Sequence, residues 1–170
     1  MKKAIVLVLA LVLTMGLAVP AAAAGTASPT APTTSETTTA PLPEVTTSEV
    51  TAADGTVAIV EPIEATDTTK LAEEEKTTLA AAQTALAEAA PAGMKAQYFF
   101  YVKVSEKDTA GAAKMYNGSV TMTIKLDNAE GLIVMQFVDG KWVELKATVN
   151  ADGTVSIEGV VDAPMAIFTK

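Results

Sequence analysis

The chain has no cysteine, no histidine and no arginine. Each absence removes a chemistry. Without cysteine there are no disulfides, the staples on which small exported domains often depend. Without histidine or cysteine there is no Ser-His-Asp or Cys-His nucleophile system and no His/Cys zinc site. Without arginine no planar fork can take a phosphate or carboxylate bidentately. No glycine-rich phosphate loop occurs either. Carboxylates and lysines are what remain for acid–base work. Two carboxylates suffice for a glycoside hydrolase, so residue type alone leaves that class open. Such an enzyme also needs a cleft, which about 80 folded residues build poorly. The sequence therefore assigns no catalytic residue, no cofactor and no metal, and the expected protein is not an enzyme.

Charge of one sign is also in short supply. The 12 basic residues, all lysine, face 20 Asp and Glu, for a formal charge of −8. An acidic chain without arginine is a poor ligand for a phosphate backbone and for an anionic membrane surface. The expected partner is an extracellular glycan or protein, with no nucleic acid and no membrane once the leader is removed.

The leader is the first feature that is present. Met1-Lys2-Lys3 opens the chain, Ala4 to Val19 is an apolar run broken only by Thr14 and Gly16, and Pro20 precedes Ala21-Ala22-Ala23-Ala24. A basic start, an apolar middle and small residues at the cleavage point are what a signal peptidase reads. Residues 1–24 are thus expected to be a signal peptide, cut after Ala23 or Ala24. The alternative is an uncleaved anchor, but the run is short against the roughly 20 apolar residues of a membrane span. Cleavage removes Lys2 and Lys3 and leaves 10 Lys against 20 Asp and Glu, a formal charge of −10. The C-terminal Ala166-Ile167-Phe168-Thr169-Lys170 has no apolar tail, so a secreted, extracellular protein is expected.

Residues 25–55 read as a disordered Ser/Thr/Pro-rich linker, with Thr37-Thr38-Thr39 and Pro41-Leu42-Pro43 typical of it. With few large apolar side chains, such a stretch cannot offset the entropy of ordering. The composition suits an O-glycosylated tether or an unmodified spacer, and the unmodified spacer is the preferred reading. Thr56 to Val60 is β-prone, either a first strand or a sticky part of the linker. Asp67 to Ala90 is rich in helix formers, with Asp67 or Thr68 as caps, Glu73-Glu74-Glu75 near the positive end of the dipole and Pro91-Ala92-Gly93 as the stop. Leu79, Ala82, Leu86 and Ala89 give it a narrow apolar stripe.

After Lys95 the period becomes two. Tyr98 to Val104 is strongly β-prone, and Val120, Met122, Ile124 and Leu126 alternate with polar residues. Leu132 to Val138 is a near-continuous apolar strand, separated by Asp139-Gly140 from Lys141 to Val149. Asp-Gly between two β runs predicts a type I′ hairpin, whose central residues both need positive φ. A turn at Asn150 to Gly153 leads into Thr154 to Gly159, and Met165 to Phe168 closes the chain. The predicted fold is mainly β: a small antiparallel β-sandwich preceded by one α-helix, spanning 56–170, behind the linker.

Residues from about 95 to 170 resemble a small C-terminal β module of secreted and cell-surface proteins of Gram-positive, often gut-dwelling, bacteria. The features that carry the resemblance are Gly131 to Val138, the Asp139-Gly140 turn and Lys141-Trp142-Val143-Glu144. Val149, Asp152-Gly153-Thr154-Val155 and the closing Ala163-Pro164-Met165-Ala166-Ile167 complete it. Ala163 and Met165 stand where such modules more often carry other residues. The resemblance implies an accessory β-sandwich and brings no catalytic residues.

Few side chains stand out as candidates. Trp142 is the only tryptophan. Alternation puts it opposite Val143, Leu145, Ala147 and Val149, which are expected to face the core. An exposed Trp142, with Tyr98 or Tyr101, could stack on a sugar; otherwise it covers the sandwich edge or packs under the helix. Asp127, Asn128 and Glu130 are either a polar turn or hard oxygens for calcium, but no complete loop motif surrounds them. Asn117-Gly118-Ser119 is a glycosylation sequon in letters and a turn in composition. Three functions follow: a non-catalytic binding or spacer module at or near a bacterial cell surface, a carbohydrate-binding module using exposed aromatics, and a structural cap in a larger assembly.

Overall fold

The computed structural model describes residues 41–107 and 114–170. The expected signal peptide and residues 25–40 of the expected linker lie outside the described residues. The strands are β1 (Glu44–Val45), β2 (Glu49–Thr51), β3 (Val57–Glu64), β4 (Lys95–Glu106), β5 (Lys114–Met115), β6 (Val120–Lys125), β7 (Ile133–Val138), β8 (Lys141–Leu145), β9 (Ala147–Val149), β10 (Thr154–Val160) and β11 (Ala163–Thr169). They form two antiparallel sheets, β1-β6-β10-β9 and β2-β3-β4-β11-β7-β8, with β5 also paired to β4. The helix α1 (Glu73–Ala89) lies between β3 and β4 in the chain. The protein is thus the mainly β antiparallel sandwich with one helix that the periodicity predicts.

Two cores hold it together. Between the sheets, Phe100, Val102, Val104, Met122, Ile124, Ile157, Met165 and Ile167 are essentially inaccessible. On the other face of the larger sheet, Phe99, Tyr101, Phe137, Ala166 and Phe168 pack with Leu79, Ala82 and Leu86 of α1. Strands β4 and β11 are covered on both faces, which is why both read as continuous apolar runs. Strand β6 is covered on one face only, with Val120, Met122 and Ile124 buried, and it alternates accordingly.

Helix α1 docks by its expected stripe at Leu79, Ala82 and Leu86, whereas Ala89 is only half-buried. It starts later than expected. Asp67 caps a separate 3-10 turn, Thr68–Lys70, by accepting from the Thr69 N–H at 3.3 Å. The helix proper is capped from inside: the Glu75 carboxylate accepts the Ala72 N–H at 2.6 Å, one of the donors a helix start leaves orphaned. The Asp139-Gly140 hairpin forms as predicted, with φ of 52° and 76°.

Three expectations need correction. Residues 41–55 are not linker. Glu44–Val45 pairs with β6 and Glu49–Thr51 with β3. Leu42, Val45 and Val50 pack on the inter-sheet core, and Pro43 and Ala52 are buried. A few spaced apolar residues are enough to cover an edge of an existing sheet, which composition averaged over the tract conceals. Second, the β-prone patch is a strand, one of the two readings of it, but it extends from Val57 to Glu64 and runs through Pro62 instead of ending before it. Its pairing with β2 stops at Val57–Ile59, so Pro62 sits where the outer side of β3 is an open edge and its missing N–H costs no ladder bond. Third, Lys141 to Val149 is not one strand. The chain leaves the larger sheet after Leu145 and joins the smaller one at Ala147. Leu145 and Ala147 do face the core, but Val143 and Val149 lie at sheet edges, 47% and 52% exposed.

Candidate functional site

Ionisable groups gather at an open cleft of about 280 Å³ on the helix side of the larger sheet. The first turns of α1 supply Glu74, Glu75 and Thr78, strand β4 supplies Tyr101, and the β10–β11 connection supplies Asp162. Asp139 of the hairpin turn lies at the same cleft. Four carboxylates in one cleft would be of interest for acid–base or cation chemistry, so the partners of each decide the matter.

Glu75 is buried and fully engaged. Besides the Ala72 N–H, its carboxylate accepts from the Lys103 ammonium at 3.1 and 3.2 Å. Lys103 also reaches the Lys70 carbonyl at 3.3 Å. Asp162 takes the Tyr101 hydroxyl at 2.6 Å on one oxygen and the Val104 N–H at 2.9 Å on the other. Both carboxylates are therefore bound into the fold by donors on β4 and at the helix start. Neither is presented to a substrate as a free acid or base. Among the described residues no group of three or more acidic side chains converges to hold a metal ion. Asp127, Asn128 and Glu130 are exposed.

Burial, then the hydrogen bond to Asp162, then the negative charges of Asp162 and Glu75, hold the Tyr101 phenol well above its ordinary value of 10.0. The sign of the consequence is fixed by linkage. The unfolded chain releases this proton near pH 10 while the folded chain keeps it. The stability it brings is fully present below pH 10 and is lost as the pH rises further. Tyr101→Phe is expected to cost about 2 kcal/mol at neutral pH, the worth of a hydrogen bond to a charged acceptor. In urea titrations carried up to about pH 11, the gap between wild type and variant should narrow. A gap that stays constant or widens would show that Tyr101 does not carry this linkage.

The sequence-predicted binding residues do not form a platform. Tyr101 is 3% exposed. Tyr98 is half-buried against the inter-sheet core, on the opposite face of β4. Trp142 packs on the helix-side core, edge-on to Phe137 with centroids 5.4 Å apart and to Phe99 at 6.3 Å. Its indole Nε1 is buried with no partner among the described residues. The packing explains the orientation: Trp142 lies opposite Phe137 in the β7–β8 register, and paired residues share a face. Here the outward face of the strand is itself covered, because α1 makes a third layer. Glu75 and Asp162 were not visible as site residues in the sequence. Glu75 has a signal, its place in the first helical turn; Asp162 has none, because its partners lie 58 and 61 residues away. No protein-family model, no curated protein and no solved structure matches this chain.

Proposed function

We propose that the protein is a non-catalytic module, exported through its signal peptide, that binds or spaces at or near the surface of a Gram-positive bacterium. One observation carries the reading. The two carboxylates best placed for chemistry, Glu75 and Asp162, are each used up in holding α1 and the β10–β11 connection to β4. What remains for a partner is the outside of the sandwich. The resemblance of residues 95–170 to accessory modules points the same way.

The test uses the full chain produced in a Gram-positive host. It should be found in the medium or on the cell wall, shortened at its N-terminus, and inert toward a panel of glycoside, ester and peptide substrates. Retention inside the cell, or metal-independent turnover lost in Asp162→Asn, would overturn the proposal.

A further inference from the structure

We propose that Asn117 is a self-modifying site: its side-chain amide is attacked by the backbone nitrogen of Gly118 and converts to an aspartyl or isoaspartyl residue in the folded protein. Asn117 stands in the connection between β5 and β6, exposed and outside both strands. Among the described residues its side chain has no hydrogen-bond partner, and the Gly118 N–H has no acceptor. It is the one asparagine of the chain followed by glycine; Asn128 and Asn150 are followed by alanine. A residue without Cβ leaves the approach of its nitrogen unhindered.

The structure also explains why glycine stands there. A Cβ on Gly118 would overlap the ring of Tyr116. That ring is 8% exposed within the inter-sheet core. Its hydroxyl donates to Asp54 Oδ2 at 3.2 Å, and its N–H donates to the Val104 carbonyl at 3.2 Å. Packing therefore demands the residue that makes the neighbouring asparagine reactive. Asn150 is the contrast: its amide nitrogen donates to Thr154 Oγ1 and Ser156 Oγ, both at 2.9 Å, and this holds the side chain away from its own backbone.

The chemistry balances with water alone. The Gly118 nitrogen loses its proton to solvent and forms a bond to Cγ of Asn117. The Cγ–Nδ2 bond breaks, and ammonia leaves after taking up a proton. The resulting five-membered imide is then opened by water. Addition at Cγ restores the normal main chain with a carboxylate. Addition at the α-carbonyl routes the main chain through Cβ and Cγ, one carbon longer. Either product adds a negative charge, and the second lengthens the link between Tyr116 and Gly118, where even a methyl group does not fit.

The full chain, kept folded in mildly alkaline buffer, is sampled over time, digested with trypsin and analysed by mass spectrometry, with isoaspartyl methylation as the second readout. Cleavage at lysine puts the three asparagines in separate peptides, 115–125, 126–141 and 147–170. Conversion at Asn117 should be at least about ten-fold faster than at Asn128 and Asn150, because only its neighbour lacks a Cβ. The exposed variant Asn117→Gln should fold normally and yield no methylatable species from 115–125. Comparable rates at the three asparagines, or an amide at Asn117 that persists while another converts, would overturn the proposal.

Discussion

Replacing Phe100 with alanine is expected to destabilise the protein by about 3–5 kcal/mol, the cost of deleting a buried aromatic and leaving its cavity. Phe100 is 1% exposed in the inter-sheet core. It lies on β4, the strand that pairs with β3, β5 and β11. Its register partners are Glu64 on one side and Met165 on the other, so both flanking strands limit how far the site can collapse. Domains of this size are stable by only about 5–15 kcal/mol, and no disulfide restrains the unfolded chain here. The variant should show a large drop in urea midpoint with its slope unchanged. A loss below about 1 kcal/mol would mean that the core refills the space, as plastic cores sometimes do.

The legibility of the fold follows from how each signal acts over distance. The Asp139-Gly140 hairpin, the alternation of β6 and the Leu79–Leu86 stripe are local, and each stands where its pattern places it. Trp142 shows where local reasoning stops. Two-fold alternation separates the faces of β8 correctly, but it does not say that both faces of the larger sheet are covered. The helix that covers one of them lies about 60 residues earlier in the chain. Val143 fails for the complementary reason: it is on the inward face, but on the edge strand of the larger sheet, where it stays 47% exposed. The start of the domain was hidden by composition. The Thr/Pro tract runs without a break into Leu42, Val45 and Val50, whose role depends on a sheet edge made by β3 and β6. The cleft was least legible, because Tyr101, Asp162 and Glu75 meet only through long-range packing.

The second large effect is expected at Gln136, a residue no sequence pattern marks. It is 0% exposed on β7, among apolar neighbours. Its Oε1 accepts the Val161 N–H at 3.1 Å, and its Nε2 donates to the Val161 carbonyl at 2.7 Å and the Ala163 carbonyl at 3.4 Å. The β7–β11 ladder begins at Met165, opposite Gln136. Pro164, just before it, has no N–H to extend that ladder. The side-chain amide thus substitutes for backbone at the point where the chain crosses from the smaller sheet to the larger. Gln136→Leu keeps the volume and should cost about 3 kcal/mol, since the Val161 N–H and carbonyl lose their partner in a poorly hydrated place. Gln136→Glu separates this from a packing effect. Its carboxylate still accepts the Val161 N–H, but its second oxygen faces the Val161 carbonyl and can bond to it only when protonated. Burial and that carbonyl both raise the folded pKa above the unfolded value of about 4.3. The restored stability is then present below the unfolded pKa and lost as pH rises through the folded one. Urea midpoints should show the glutamate variant nearest to wild type in acid and furthest from it at neutral pH, while the leucine variant keeps a constant deficit. A glutamate deficit independent of pH, or a leucine variant as stable as wild type, would mean that the amide does not close the crossing between the sheets.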